Sequence, residues 1–142
     1  MKFKFSLNSV LKVRSHKKKA EKNEMAKRVA EKQEIERQQD HLKEELNTYV
    51  QSIADEEHST VRMMKVRSAH VQTKQQQINA LDNEKKQAED RVEEQRKKLS
   101  KAHQDLHVIE KAYDIEHKAF KDQSSKEEQK FLDEIATQSY KR

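Results

Sequence analysis

The 142-residue chain contains no glycine and no proline, and this absence restricts its fold more than any other feature of the sequence. Average usage would give about 10 glycines and about 7 prolines. Their absence excludes glycine-rich phosphate loops, primed β-turns and glycine helix caps. Charged residues make up 40% of the chain and hydrophobic residues only 32%, which is too little apolar material for a globular core. A disordered chain and a chain of long coiled-coil helices remain as classes.

Catalytic and metal-binding chemistry has little support in the sequence. The absence of cysteine excludes disulfides, thiolate metal sites and a cysteine nucleophile. His103 and His107 have zinc-ligand spacing on a helix, but a solvated pair beside the hydrophobic seam is the favoured interpretation. Neighbouring acids such as Glu44 and Glu45 indicate solvated helix faces, because general acid–base catalysis needs a desolvated cleft. We therefore expect no enzymatic activity, no cofactor and no metal.

Positive charge is concentrated at the N-terminus. Residues 1–20 contain seven basic side chains and no acid, whereas the whole chain has a net charge of only +5. A helix N-terminus normally favours acidic side chains, so this segment works against the helix dipole. It predicts contact with an anionic partner surface; a solubilising end is the alternative.

Apolar residues recur with heptad spacing in two long stretches. One series, with Ile53 as its last position, is apolar at eight of 14 positions and is clear over residues 35–53 but weak over residues 14–32. The second, over residues 71–120, is apolar at 11 of 15 positions. Such repeats are typical of coiled coils. The predicted coiled-coil core is Leu7, Met25, Ile35, Leu42, Leu46, Tyr49, Ile53, Val92, Leu99, Leu106, Ile109, Tyr113 and Phe120.

The predicted fold is all-α, with two long helices forming an antiparallel coiled-coil hairpin in one elongated domain over residues 1–142. Arm one covers about 5–54, the turn about 55–60, arm two about 61–120, and a tail segment 121–142. The turn is placed where Asp, Ser and Thr can cap helix ends without glycine. A turn within residues 68–77 and an uninterrupted helix that dimerises in parallel stay open. The polar stretch at 121–126 predicts a frayed or separate helical tail.

The N-terminal sequence KFKFSLNSVLKVR resembles the opening of the FliJ family of the bacterial flagellar export apparatus. That opening alternates aromatic and basic residues, followed by leucine, a Val/Leu–Leu pair and arginine. The matching positions are Phe3, Phe5, Leu7, Val10, Leu11 and Arg14. The chain length, the basic start and the two-arm coiled coil also fit.

The resemblance implies an antiparallel two-helix coiled coil similar to the central stalk of rotary ATPases. FliJ proteins insert their terminal end into the hexameric ring of the export ATPase FliI, bridge it to the membrane export gate protein FlhA, and handle export chaperones. They help to couple ATP hydrolysis and proton motive force to export. The resemblance also implies a cytoplasmic protein that associates peripherally with the inner face of the cell membrane. The related YscO group of injectisome stalk proteins has the same architecture and stays open.

The resemblance also directs attention to two groups of contact residues. Candidates for the ATPase contact are Phe3, Phe5, Leu11, Arg14, Lys17, Lys18 and Lys19. The family suggests the second helix near the turn for the gate contact, for which the candidates here are Val71, Lys74, Ile78 and Leu81.

Four other interpretations of the sequence stay open. A generic coiled-coil scaffold is the main alternative. The acid-free start also fits a mitochondrial transit peptide, or an interfacial helix with Phe3, Phe5, Leu7, Val10 and Leu11 facing lipid. Its lysines could bind phosphates non-specifically, although the segment lacks the Asn/Arg pattern of leucine-zipper factors. No stretch is apolar enough for a membrane span, and we expect neither nucleic-acid binding nor direct membrane insertion.

Overall fold

A computed structural model describes residues 2–141, which form two long helices. Helix α1 is Asn8–Ala54, with 47 residues, and helix α2 is Val61–Tyr140, with 80 residues. The two helices pack antiparallel. Glu21, early in α1, accepts a hydrogen bond from Gln95, whereas Tyr49, late in α1, contacts His70 near the start of α2. The predicted all-α fold of two long paired helices is thereby confirmed. An uninterrupted helix is wrong, and the alternative turn at residues 68–77 lies inside α2.

Contacts divide the hairpin into two compact units. We call residues Met1–Ala20 with Ser100–Arg142 the terminal unit, and Glu21–Leu99 the turn unit. Each unit contains parts of both helices. The helices are long because nothing in the sequence breaks them, and ion pairs one turn apart add support, as between Arg28 and Glu24 at 3.2 Å.

Polar side chains make the turn without glycine. Residues 55–60 connect the helices, and no described residue has a positive φ angle. The Thr60 hydroxyl accepts a hydrogen bond from the backbone N–H of Met63 at 3.2 Å, which caps the start of α2. Arg67 donates to the Glu56 carboxylate and ties the connection to α2. Ordinary backbone angles and side-chain caps are therefore sufficient for this turn.

The turn unit has a narrow and partly polar interior. Ala88 is fully enclosed and Ile78 is 5% exposed. Gln39 and Gln95 are also buried, at seam positions where apolar residues would be expected. The residues of the predicted coiled-coil core that lie in this unit are all half-buried: Met25, Ile35, Leu42, Leu46, Tyr49, Ile53, Val92 and Leu99.

The terminal unit has its own apolar interior, built from one face of α2. Ala102, Leu106 and Ile109 are buried there, and Phe5 is buried against Tyr113. Leu7 differs from the core prediction, since it is 40% exposed in the turn that precedes α1.

The last part of α2 has no helix packed along it. The helix continues through residues 121–126 without a break and ends at Tyr140, so the polar stretch does not produce a separate segment. Every described residue from 125 onward is exposed, including Phe131 and Leu132.

Candidate functional site

The terminal unit fixes the residues that precede α1 through an aromatic cluster. The Phe3 ring centroid lies 4.8 Å from that of His117 and 5.4 Å from those of Tyr113 and Phe120, and Phe5 lies 5.2 Å from Tyr113. Most of these contacts are edge-to-face, the arrangement that aromatic quadrupoles favour. The non-helical residues 2–5 are thus held along α2 by their own side chains.

A double hydrogen bond follows this aromatic cluster. The backbone N–H of Ser6 donates to Glu116 Oε1 at 3.1 Å, and the Ser6 hydroxyl donates to Oε2 at 2.8 Å. A carboxylate at this place also compensates the partial positive charge at the start of α1, whose first turn has no acid of its own. Glu116 of α2 therefore places an acidic side chain at the start of α1, where the sequence of α1 itself has none.

The basic side chains of the terminal unit differ in their surroundings. Arg14 is half-buried, and its Nη1 donates to the backbone carbonyl of Asp105 at 2.8 Å. Lys18 is half-buried, whereas Lys12, Lys17 and Lys19 are exposed. The positive surface open to a partner is therefore carried by lysines, while Arg14 also fastens α1 to α2.

The aromatic residues of the predicted ATPase contact are less exposed than its lysines Lys17 and Lys19. Phe5 is only 8% exposed, so a partner could touch little of it in this conformation, and a direct contact through Phe5 stays a prediction. Phe3 and Leu11 are half-buried beside it. Alternation of aromatic and basic residues does not distinguish a partner surface from an internal clamp, because both need the rings on one side.

In the turn unit, the four candidates for the gate contact all lie at the seam between the helices. Ile78 is buried, while Val71, Lys74 and Leu81 are half-buried. All four have heptad spacing, and heptad spacing places side chains in a coiled-coil interior. Their assignment as a partner surface stays a prediction, with little of Ile78 available to a partner in this conformation.

Exposed apolar side chains occupy the beginning of α2 instead. Val61 is 70%, Met64 57% and Val66 63% exposed, and Met63 is also exposed. Met64 lies where the seam spacing would place a core residue, yet it is exposed, close to the end of α1 at Ala54. This apolar surface, Val61, Met63, Met64 and Val66, we call the α2-start patch. The sequence signal for it is the segment VRMMKV at residues 61–66.

A family model described as flagellar FliJ protein matches residues 3–142. This chain belongs to the FliJ family. The match extends the resemblance of the N-terminal motif to nearly the whole chain. FliJ proteins are non-catalytic, stalk-type components of the flagellar protein export apparatus, which gives the chain its general function. No curated protein and no solved structure matches the chain.

The paired histidines of α2, His103 and His107, stack with 6.5 Å between their ring centroids. Among residues 2–141, no group of three histidine or acidic side chains is placed to hold a metal ion. Neither described helix has a stretch long and apolar enough to cross a membrane.

Lys74, one of the gate candidates, bridges the helices of the turn unit. Its Nζ lies 3.1 Å from Glu45 Oε2. The hydrogen bond from Lys74 and then its positive charge hold the pKa of Glu45 below the ordinary value, with a smaller contribution from His41. Since the folded-state pKa is lowered, this pair stabilises the fold above the unfolded-state pKa, and the stabilisation is lost as the pH falls through the folded-state value.

Replacing Lys74 by glutamine should therefore raise the pKa of Glu45 toward its ordinary value. An NMR titration of the Glu45 carboxyl group measures this directly. Lys43→Gln, which changes an exposed lysine two residues away from Glu45, is the matched control and should leave the titration unchanged. Equal titration curves for Glu45 in the parent chain and Lys74→Gln would show that the bridge does not persist in solution.

Proposed function

We propose that this chain is the stalk subunit through which a hexameric, FliI-like export ATPase is linked to an FlhA-like export gate. It has no catalytic role of its own. Its lysine-rich terminal unit contacts the ATPase ring, its α2-start patch contacts the gate, and the chain also handles export chaperones. It acts in the cytoplasm, peripherally at the inner face of the cell membrane. Membership of the FliJ family supports this assignment.

The observation that carries the ATPase contact is the acid-free, basic segment of the terminal unit. Lys12, Lys17 and Lys19 are exposed on α1, and Lys18 is half-buried. Clustered like charges are unfavourable within a fold, so their benefit is expected to come from a partner of opposite charge. A ring lumen lined by acidic side chains is such a partner.

Reversing three of these charges should weaken binding to the ATPase. The variant Lys17→Glu/Lys18→Glu/Lys19→Glu is expected to bind the purified hexamer about tenfold more weakly at moderate salt, and to stimulate its ATP hydrolysis less. Binding would be measured by surface plasmon resonance over a series of salt concentrations. The variant should also show a smaller salt dependence, because fewer charge contacts remain.

A matched control separates position from total charge. Lys86→Glu/Lys97→Glu/Lys98→Glu changes the net charge by the same amount at exposed lysines of the turn unit. It should keep the affinity of the parent chain within a factor of about three. If both triple variants lose binding equally, overall charge rather than the basic segment controls the interaction.

The gate contact is proposed for the α2-start patch. Exposed apolar groups that neighbour each other mark protein interaction sites, and methionine adapts to differently shaped partners. Here Val61 neighbours Met64 and Met63 neighbours Val66, one helical turn apart. Val61, Met63, Met64 and Val66 are all at least 43% exposed, so their surface is available without opening the hairpin. Arg62 and Lys65 alternate with them and would sit at a polar rim.

Making this patch polar should weaken the gate interaction without affecting the fold. Met64→Ser/Val66→Ser is expected to lower the affinity for the cytoplasmic part of the gate protein by at least about tenfold, measured by isothermal titration calorimetry. The melting temperature should hardly change, because both side chains are exposed. Val108→Ser/Ile115→Ser removes equally exposed apolar groups from the terminal unit and should bind normally. Normal binding by Met64→Ser/Val66→Ser would remove the patch from the proposal.

A further inference from the structure

Two buried glutamines stand out in the seam of the turn unit. Gln39 of α1 is 3% exposed and Gln95 of α2 is 5% exposed, in an interior that is otherwise formed by residues such as Ile78 and Ala88. Burying an amide is unfavourable unless its hydrogen bonds are satisfied. We propose that Gln39 and Gln95 act as two pins that set the register of the hairpin and hence the position of its turn.

Both pins bind the opposite helix in the same manner. Gln39 Nε2 donates to the backbone carbonyl of Ile78 at 3.3 Å and to Asp82 Oδ1 at 3.2 Å. Gln95 Nε2 donates to the backbone carbonyl of Glu21 at 3.1 Å and to the Glu21 carboxylate. Each amide thus recognises a backbone carbonyl together with an acidic side chain. The two bonds run in opposite directions across the seam, one from each helix.

The backbone geometry of the turn and the heptad repeat do not by themselves define the register. The turn contains no glycine or proline, and backbone angles within residues 2–141 are all of the kind any residue adopts. A slide by seven residues, about 10.5 Å, keeps heptad positions facing heptad positions. It moves the centre of the turn by only three or four residues, into the first turn of α2 or the last turn of α1.

The two glutamines together disfavour both slides. A slide in one direction places Gln95 opposite Arg28 instead of Glu21, and a slide in the other places it opposite Arg14. In both cases the Gln95 N–H loses its carboxylate acceptor, and the amide would have to turn over to offer its oxygen to the arginine. The slide that brings Gln39 near Glu89 is the one that brings Gln95 to Arg28, so no heptad slide gives both amides a backbone carbonyl together with a carboxylate.

The register of the hairpin also determines whether the α2-start patch is exposed. The α2-start patch is helical and exposed only when the turn lies at residues 55–60. A slide that moves the turn toward the C-terminus would unwind Val61 and Met64 from α2. The pins therefore determine which side chains the turn end presents, whatever partner binds there.

Distance measurements between two spin labels test the proposal. The chain has no cysteine, so Asn47→Cys and Glu94→Cys give two labelling sites, both exposed. Because the line between them runs mainly along the helices, a heptad slide changes their separation by about 10 Å. Double electron–electron resonance on the otherwise unchanged labelled chain should give one distance peak. Adding Gln39→Leu/Gln95→Leu should give a second peak displaced by about 10 Å, with an equal or higher melting temperature.

A control variant and a second set of variants complete the test. Gln38→Leu/Gln87→Leu makes the same chemical change at exposed positions and should keep the single peak. If the double pin variant does not fold, Gln39→Leu and Gln95→Leu alone are each expected to show the second peak at a smaller fraction. A single unchanged peak in every folded pin variant would overturn the proposal, and so would a second peak of equal size in the control.

Discussion

Replacing Ala88 by glutamate should lower the melting temperature of the chain by about 10–20 °C. Ala88 is the fully enclosed residue of the turn unit, at a point where α1 and α2 approach closely. A glutamate there has either to stay inside without a partner or to push the helices apart. A buried charge without a partner costs several kcal/mol, and separating the helices exposes the neighbouring seam.

The matched control is Ala80→Glu, which makes the same change on an exposed face of α2. It should shift the melting temperature by no more than about 2 °C, since exposed helix positions tolerate glutamate. Thermal unfolding followed by circular dichroism at 222 nm compares the two variants directly. Equal melting temperatures for Ala88→Glu and Ala80→Glu would mean that the helices are not packed at this point in solution.

The fold could be predicted from the sequence because helix pairing depends on a repeating pattern. Heptad spacing identifies the seam even where its residues are charged. Lys32 is half-buried, and its Nζ lies 3.9 Å from Glu89 Oε1 of the other helix. Long side chains of this kind bury their aliphatic parts and keep their charges near water. A heptad position occupied by a charge is therefore no sign that the seam is interrupted.

The candidate surfaces were harder to predict, for the same reason. Residues selected by the heptad pattern, such as Ile78, belong to the interior, whereas Met64 follows the pattern and is exposed. Met64 lies close to the turn, and the position of a helix end such as Ala54 depends on caps rather than on the repeat. Side-chain partners such as Glu116 for Ser6 lie 110 residues apart in the sequence and have no local signal.

Replacing Phe5 by alanine should loosen the terminal unit and leave the turn unit folded. Phe5 is 8% exposed and packs edge-on against Tyr113, and truncation of a buried phenylalanine costs about 3–5 kcal/mol. This loss should raise the rate of amide hydrogen exchange at the start of α1 about a hundredfold or more. Exchange in residues 71–95 should be unchanged, because no aromatic contact described for Phe5 reaches them. Hydrogen exchange with mass spectrometry resolves the two regions.

The variant Val13→Ala provides the control, since Val13 is on the same segment but 67% exposed. It should exchange like the parent chain. Phe5→Leu should restore most of the protection, because it refills the space without the edge-to-face contacts. If Phe5→Ala exchanges like Val13→Ala, the aromatic cluster does not hold residues 2–5 on α2 in solution.

Phe5→Ala also separates two roles for the N-terminal motif. If the aromatic residues position the lysines, Phe5→Ala should weaken ATPase binding although Phe5 itself is nearly inaccessible, and Phe5→Leu should restore it. The decrease in affinity should then follow the loss of exchange protection from variant to variant. If Phe5 itself forms the contact, Phe5→Leu would stay deficient in binding while its exchange protection returns. Restored binding in Phe5→Leu would assign the aromatic residues of the motif to the clamp and the lysines that follow them to the partner.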